Sequence, residues 1–251
     1  MKRWLILFAL LFIITGCSPE TNCADDPACK RVLFIGNSYT YVNDLPGTFT
    51  DLAKSGGHRV ETDMSAQGGW SLADHVNSAE TLDKIKSSKW NYVVLQEQSQ
   101  MPASKQAREM QMYPAARTLV TEIRKTGAEP IFFETWAHSN GWPENNMPVY
   151  GTMQANINEG YLAIAQELNV KVSPVGLAWF AAVKQKSPIK LWQDDGSHPS
   201  VAGTYLAACV FYKTLFQESP EGLSYKNGLS TENAQWLQKI AADTVNINTT
   251  K

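Results

Sequence analysis

The chain has 251 residues, 43% hydrophobic and 18% charged, a globular composition that excludes the disordered and fibrous classes. Lys and Arg number 22 against 24 Asp and Glu, so no basic excess is present to neutralise a phosphate backbone, and nucleic acid is set aside as a partner. Four Cys and four His, with no CxxC and no HExxH spacing, exclude a cysteine-rich zinc module and a helix-borne zinc pair.

Met1-Lys2-Arg3 is a short positive segment, and the apolar run 4–14 that follows is well below the roughly 20 residues of a spanning helix. It has the form of a secretory signal. Ile14-Thr15-Gly16-Cys17 resembles a bacterial lipobox, in which the Cys is lipidated and becomes the new N-terminus. The expectation is a signal peptide over 1–16, a lipid anchor on Cys17, and export to the bacterial cell envelope, on the periplasmic side or the cell surface. Residues 17–30 are polar, carry Pro19 and Pro27, and read as a tether. Cys23 and Cys29 lie within it, either as a disulfide that an oxidising compartment permits or as two free thiols. Cys209, in an apolar stretch, reads as an inert core thiol.

From residue 31 to 251 the pattern predicts one domain of alternating strands and helices. Strand 31–35 ends at Gly36. Helix 45–54 stops at Gly56-Gly57 and is followed by strand 58–64. Helix 72–86 precedes strand 92–95, and a long helix, 103–125, ends before Gly127. Strand 129–135, helix 149–168 and the short strand 170–173 come next. Helices 177–185, 201–216 and 231–245 complete the chain. Such alternation implies a parallel sheet with helices on both faces, and in such sheets ligands bind beyond the carboxyl ends of the strands.

The segments just after the strands carry chemistry. Gly36-Asn37-Ser38-Tyr39 puts Ser38 at the sheet edge, where Ser alone would read as a helix cap. Gln67-Gly68-Gly69-Trp70-Ser71 offers backbone N–H groups to an oxyanion. Gln96-Glu97-Gln98-Ser99 offers side-chain amides. Asp195-Gly196-Ser197-His198-Pro199 places a carboxylate three residues before an imidazole. A serine hydroxyl is a weak nucleophile until a base takes its proton. His198 can be that base and Asp195 the group that orients it.

Together, VLFIGNSYT, AQGGWS and DGSHPS, in this order, resemble the SGNH (GDSL-type) hydrolases, from Val32 to about Phe216. The resemblance implies a flavodoxin-like three-layer α/β/α sandwich with about five parallel strands. It makes Ser38 the nucleophile and Asp195 and His198 its triad partners. Gly69 and the Ser38 N–H become oxyanion donors, and no cofactor or metal is implied. Asn37 stands where the family has Asp. The family's third block, Gly-x-Asn-Asp, is absent; Gln98 takes the Asn position, with Gln96 as the alternative. Several Trp fall near strand ends. Trp70, Trp136 and Trp179, with His138, are candidate substrate contacts, and Trp faces would suit sugar rings. The expected activity is hydrolysis of O-acyl esters, O-acetyl first, on a small molecule or glycan. A lipase, a thioesterase or a non-catalytic glycan-binding protein of the same fold are the alternatives.

Overall fold

Strand β1, Lys30–Gly36, is buried from Val32 onward on both faces, as a central parallel strand must be. The computed structural model describes Cys23, residues 26–185 and residues 189–245; the expected signal segment 1–16 and Cys17 lie outside the described residues. β1 pairs in parallel with β2, Val60–Ala66, on one side and with β3, Tyr92–Leu95, on the other. Beyond β3 lie β4, Glu129–Phe133, and β5, Lys171–Ser173, giving the all-parallel order β2-β1-β3-β4-β5. The strand order reverses between β1 and β3, which opens a crevice beyond their carboxyl ends.

The connections are helical. Helices α1, Ser38–Tyr41, and α2, Leu45–Ser55, join β1 to β2. Then α3, Leu72–Val76, and α4, Ala79–Lys86, lead to β3. Next, α5, Lys105–Ala107, and α6, Tyr113–Lys125, lead to β4, and α7, Tyr150–Leu168, leads to β5. The chain continues through α8, Val175–Lys184, α9, Val201–Phe216, and α10, Thr231–Val245. Alternate β1 side chains enter opposite cores. Val32 and Phe34 pack with Phe49, Trp179, Phe211 and Leu237 of α2, α8, α9 and α10. Leu33 and Ile35 pack with Leu72, Ile85, Leu119 and Ile157 of α3, α4, α6 and α7. The result is the expected three-layer α/β/α arrangement on five parallel strands.

Two predicted helices are divided. The 72–86 helix is two, because Ser78 caps α4 by accepting from the Thr81 N–H, and a capping side chain competes with helix continuation. The 103–125 helix passes through a 3₁₀ turn, Met101–Ala103, then α5, then a π turn, Arg108–Met112, before α6. Pro114, second in α6, has no N–H to donate to the turn before it, and the π turn takes up the change in register. β2 begins two residues later than predicted. The short α1 was not anticipated.

Cys23 and Cys29 form a disulfide. Cys209 is a free thiol buried in α9. Among the described residues, no helix is long and apolar enough to cross a membrane.

Candidate active site

Gly36 ends β1 against the side chain of Gln96; a Cβ on Gly36 would stand 2.4 Å from Gln96 Oε1, so only glycine fits this close approach. The next residue, Asn37, caps α1 by accepting from the Tyr39 N–H at 3.1 Å. The cap is therefore Asn37, and Ser38 becomes the first helical residue with its hydroxyl free for other work. Ser38 Oγ lies 3.0 Å from His198 Nε2, and His198 Nδ1 lies 2.5 Å from Asp195 Oδ2. An ionised carboxylate only accepts hydrogen bonds, so Nδ1 carries the imidazole proton and Nε2 is left to accept from the Ser38 hydroxyl.

The His198 loop is held from several sides. Asp195 Oδ1 accepts from the Ser197 and His198 N–H groups at 2.9 and 3.0 Å, an Asx turn that fixes the carboxylate beside the imidazole. What burial Asp195 has favours its neutral form, but the His198 hydrogen bond and these two N–H groups outweigh it and hold the carboxyl below its usual range. The Gly196 carbonyl accepts from the Ser139 N–H at 2.8 Å, and Trp136 Nε1 donates to the Ser197 carbonyl at 3.0 Å. From α1's side, Asn43 Nδ2 donates to the Pro199 carbonyl at 2.9 Å and to Thr204 Oγ1 at 3.1 Å. Asn43 is in the left-handed region, at φ 56°, which Asn tolerates better than most residues.

The two other loops stand on either side of Ser38. In the Gln67–Trp70 turn, closed by the Trp70 N–H donating to the Gln67 carbonyl, Gly69 has φ +77°, as the third position of a type II turn demands. A Cβ there would meet nothing within 4 Å, so the backbone conformation, not space, calls for glycine. After β3, Gln98 Oε1 accepts from the Gln100 and Met101 N–H groups at 2.8 and 3.2 Å. This fixes which end of the amide is oxygen and leaves Nε2, whose contact with Ser99 Oγ is a long 3.4 Å, as a donor at the cleft. Ser38, His198, Gly69 and Gln98 line one cleft of about 230 Å³, together with Asn37, Tyr39, Ser99 and Ser197. No aliphatic side chain is among them.

The structure separates the two glutamines. Gln98 faces the cleft. Gln96 is fully buried, with Oε1 accepting from the Asn37 N–H and Thr40 Oγ1 and Nε2 donating to Asn37 Oδ1 and the Glu97 carbonyl. All its hydrogen-bonding capacity is used behind the nucleophile, so as an oxyanion donor Gln96 is corrected to a support. The Trp expectations are corrected in the same way. Trp136 and Trp179 are both fully buried, stacked on each other at 4.1 Å, with Tyr39 on the other side of Trp136 at 4.5 Å. With both faces of Trp136 covered and Trp179 closed to solvent, neither offers a face to a sugar. Trp70 is partly exposed beside the cleft, edge-on to His75 at 5.0 Å. His138 stands one step behind the lining, with Nε2 3.2 Å from Ser99 Oγ. Burial lowers its pKa, Asp195 raises it and His198 lowers it further.

Sequence reasoning missed three supports. His75, fully buried, bridges the Gly36 carbonyl at 2.8 Å and Thr81 Oγ1 at 2.9 Å, and burial lowers its pKa against the Gly36 hydrogen bond and Asp74, which raise it. Tyr39 joins its hydroxyl to Ser197 Oγ at 2.8 Å. Glu97 is a fully buried carboxyl next to Gln98. Nothing in periodicity marks any of them; only the polarity of Glu97 directly after a buried strand was a signal.

A doubly wound parallel sheet with serine, imidazole and carboxylate hydrogen-bonded in series at its carboxyl edge is the architecture of a hydrolase. The chain belongs to the SGNH hydrolase superfamily. It is similar to a protein from Slackia heliotrinireducens assigned as an SGNH hydrolase, at 27% identity over 74% of this chain and 99% of that one, with a TM-score of 0.64. In fold it is also similar to a DUF4886 family protein from Bacteroides uniformis, at 18% identity, 86% and 95% coverage and TM-score 0.72. A third fold relative is an acetylxylan esterase from Geobacillus stearothermophilus, at 16% identity, 80% and 97% coverage and TM-score 0.58. No protein-family model matches the sequence, and no curated protein does.

Proposed function

We propose that the chain is a serine esterase that removes short O-acyl groups, acetyl first, from carbohydrate. The observation that carries this reading is the Ser38–His198–Asp195 series opening into a cleft lined by hydroxyls, amides and imidazole. A long acyl chain gains its binding energy from apolar contact, and that lining has no aliphatic wall to provide it. An acetyl group needs none, and a sugar finds partners in the Ser99, Ser197 and Tyr39 hydroxyls.

The reaction runs through an acyl-enzyme. His198 Nε2 takes the Ser38 proton as Oγ adds to the ester carbonyl. The oxyanion is held by the N–H groups of Ser38 and Gly69 and by Gln98 Nε2. His198 returns the proton to the departing alcohol oxygen, and the acetyl group stays on Ser38. A water, deprotonated by His198, then adds to the acyl carbon, acetate leaves, and the proton goes back to Ser38. Asp195 holds the imidazole in the required tautomer throughout.

The place of action follows from the first segment of the sequence. Residues 1–16 are read as a signal and Cys17 as the lipid attachment point, which would hold the enzyme at the cell envelope among exported or cell-wall glycans. Similarity in fold to an acetylxylan esterase supports the substrate class.

The test is turnover of p-nitrophenyl acetate, p-nitrophenyl octanoate and an acetylated xylo-oligosaccharide by the protein and by Ser38→Ala. Ser38-dependent release, with acetyl preferred over octanoyl, is expected. Preference for octanoyl would make the protein a lipase, and faster turnover of acetyl-CoA, assayed alongside, would make it a thioesterase. Saturable sugar binding without any Ser38-dependent turnover would make it a binding protein.

A further inference from the structure

Glu97 is the last buried residue on leaving β3, and its carboxyl has no exposure. Three of its four polar groups reach different parts of the site. Oε1 accepts from the Gln98 N–H at 2.7 Å and from the Leu72 N–H at 3.1 Å. The Glu97 N–H donates to Tyr161 Oη on α7 at 3.0 Å, and its carbonyl accepts from Gln96 Nε2 at 2.6 Å. Oε2 is buried without a partner. Leu72 opens α3, immediately after the Ser71 cap that ends the Gly68-Gly69-Trp70 turn. Gln98 carries the amide on the opposite side of Ser38. One carboxyl oxygen therefore ties together the two loops that bring Gly69 and Gln98 to the cleft.

Structure alone calls for an acceptor here, not for a carboxyl: an amide oxygen would satisfy the Gln98 and Leu72 N–H groups without placing a second, unpartnered carboxyl oxygen in the core, which costs free energy. The group is useful because an oxygen that accepts two N–H groups fixes their separation, and misplacing a catalytic donor by about 1 Å can cost on the order of 10²-fold in rate.

We infer that Glu97 is a positioning residue of the oxyanion hole: through Oε1 it sets the distance between the Gly69 turn and Gln98. This rests on the esterase reading. The charged or titratable groups facing the carboxyl are Asp74 of α3 and the hydroxyl of Tyr161 of α7. Burial raises the Glu97 pKa most, the Gln98 and Leu72 N–H groups pull it down, and Asp74 adds to the rise, leaving it at about 7. The carboxyl thus changes charge within the range in which a histidine-dependent enzyme works.

The experiment compares the whole protein with Ser38→Ala, Glu97→Leu and Glu97→Gln on p-nitrophenyl acetate, measuring kcat, KM and Tm, with kcat taken across pH 6 to 8. Leu keeps the volume and removes the acceptor; Gln keeps the acceptor and removes the ionisation. Glu97→Leu should lose kcat by on the order of 10²-fold with KM nearly unchanged, and Glu97→Gln should recover most of it. The ratio of Glu97→Gln to wild-type kcat should drift across that pH range. A Glu97→Leu protein that folds and keeps wild-type kcat overturns the inference. If Glu97→Leu does not fold, Glu97→Met, which also lacks the acceptor, decides: a loss of kcat with KM nearly unchanged supports the inference, and wild-type kcat overturns it. Absence of Ser38-dependent turnover in the wild type would instead overturn the esterase reading.

Discussion

Asn37 and Gln96 hold each other through a reciprocal pair of hydrogen bonds: the Asn37 N–H donates to Gln96 Oε1 and Gln96 Nε2 donates to Asn37 Oδ1, both at 2.9 Å. Asn37 Nδ2 completes the set by donating to the Trp70 carbonyl at 2.8 Å. The ends of β1 and β3 and the turn after β2 are thus joined directly beside the nucleophile.

Asn37→Asp should therefore be a harmful change, although Asp is what the resembling family carries at this position. A carboxylate cannot donate to the Trp70 carbonyl and would set an oxygen against it. Leaving a fully buried carbonyl unsatisfied costs about 1–3 kcal/mol, and this part-buried one costs toward the lower end. A lower Tm and a reduced kcat are expected, with KM less affected. A variant with wild-type Tm and kcat would show that the lock has no bearing on Ser38.

Gln98 and Gln96 should respond differently, because only Gln98 faces the cleft. Gln98→Ala removes an oxyanion donor and should lower kcat by about 10²–10³ with little change in Tm. Gln98→Glu keeps the oxygen that accepts from Gln100 and Met101 but has no donor and adds negative charge, so its loss should equal or exceed that of Ala. Gln96→Ala should first lower Tm. Equal kcat for Gln98→Glu and wild type would remove Gln98 from the oxyanion hole.

What the sequence revealed and what it hid divide along one physical line. Strand positions follow from continuous apolar runs, and β3 and α9 fall on their predicted bounds, since buried elements are made of residues with few alternatives. The Asp195-to-His198 spacing could be read because one short turn sets the geometry. Contacts between loops could not. Gln96 and Gln98 are two residues apart, so pleating alone would put both on one side; the chain has left β3 by then, and the loop turns Gln96 inward and Gln98 to the cleft. The tryptophans misled because proximity to a strand end in sequence does not say which side of the sheet edge a ring takes; Trp136 and Trp179 turn inward to form a stacked column under Tyr39.

That column makes Trp136 a support for the His198 loop. Trp136→Phe keeps a ring between Tyr39 and Trp179 but loses the bond to the Ser197 carbonyl. Its effect should appear in kcat and Tm, while KM for an acetylated sugar stays close to wild type. A large rise in KM for sugar esters alone would restore Trp136 as a substrate contact.

Stability should fall as pH rises, and Glu134 is the main reason. The residue follows β4 with no exposure, Oε2 has no partner, and the nearby Tyr150 hydroxyl is also buried without one. Burial pushes its carboxyl from an ordinary 4.5 up to about 8. Between those values the folded chain keeps a proton that the unfolded chain has released, so raising the pH favours unfolding. The stabilising contribution is complete below 4.5 and lost on the way to 8, at up to about 1.4 kcal/mol per pH unit for one group. Glu97 acts with the same sign, up to about 7. Thermal melting should therefore show Tm declining from pH 5 to 8. Glu134→Gln, which cannot ionise, should flatten that decline and leave Ser38-dependent turnover near wild type, since Glu134 does not line the cleft. If the two proteins show parallel Tm profiles, Glu134 does not hold a proton in the folded state at neutral pH.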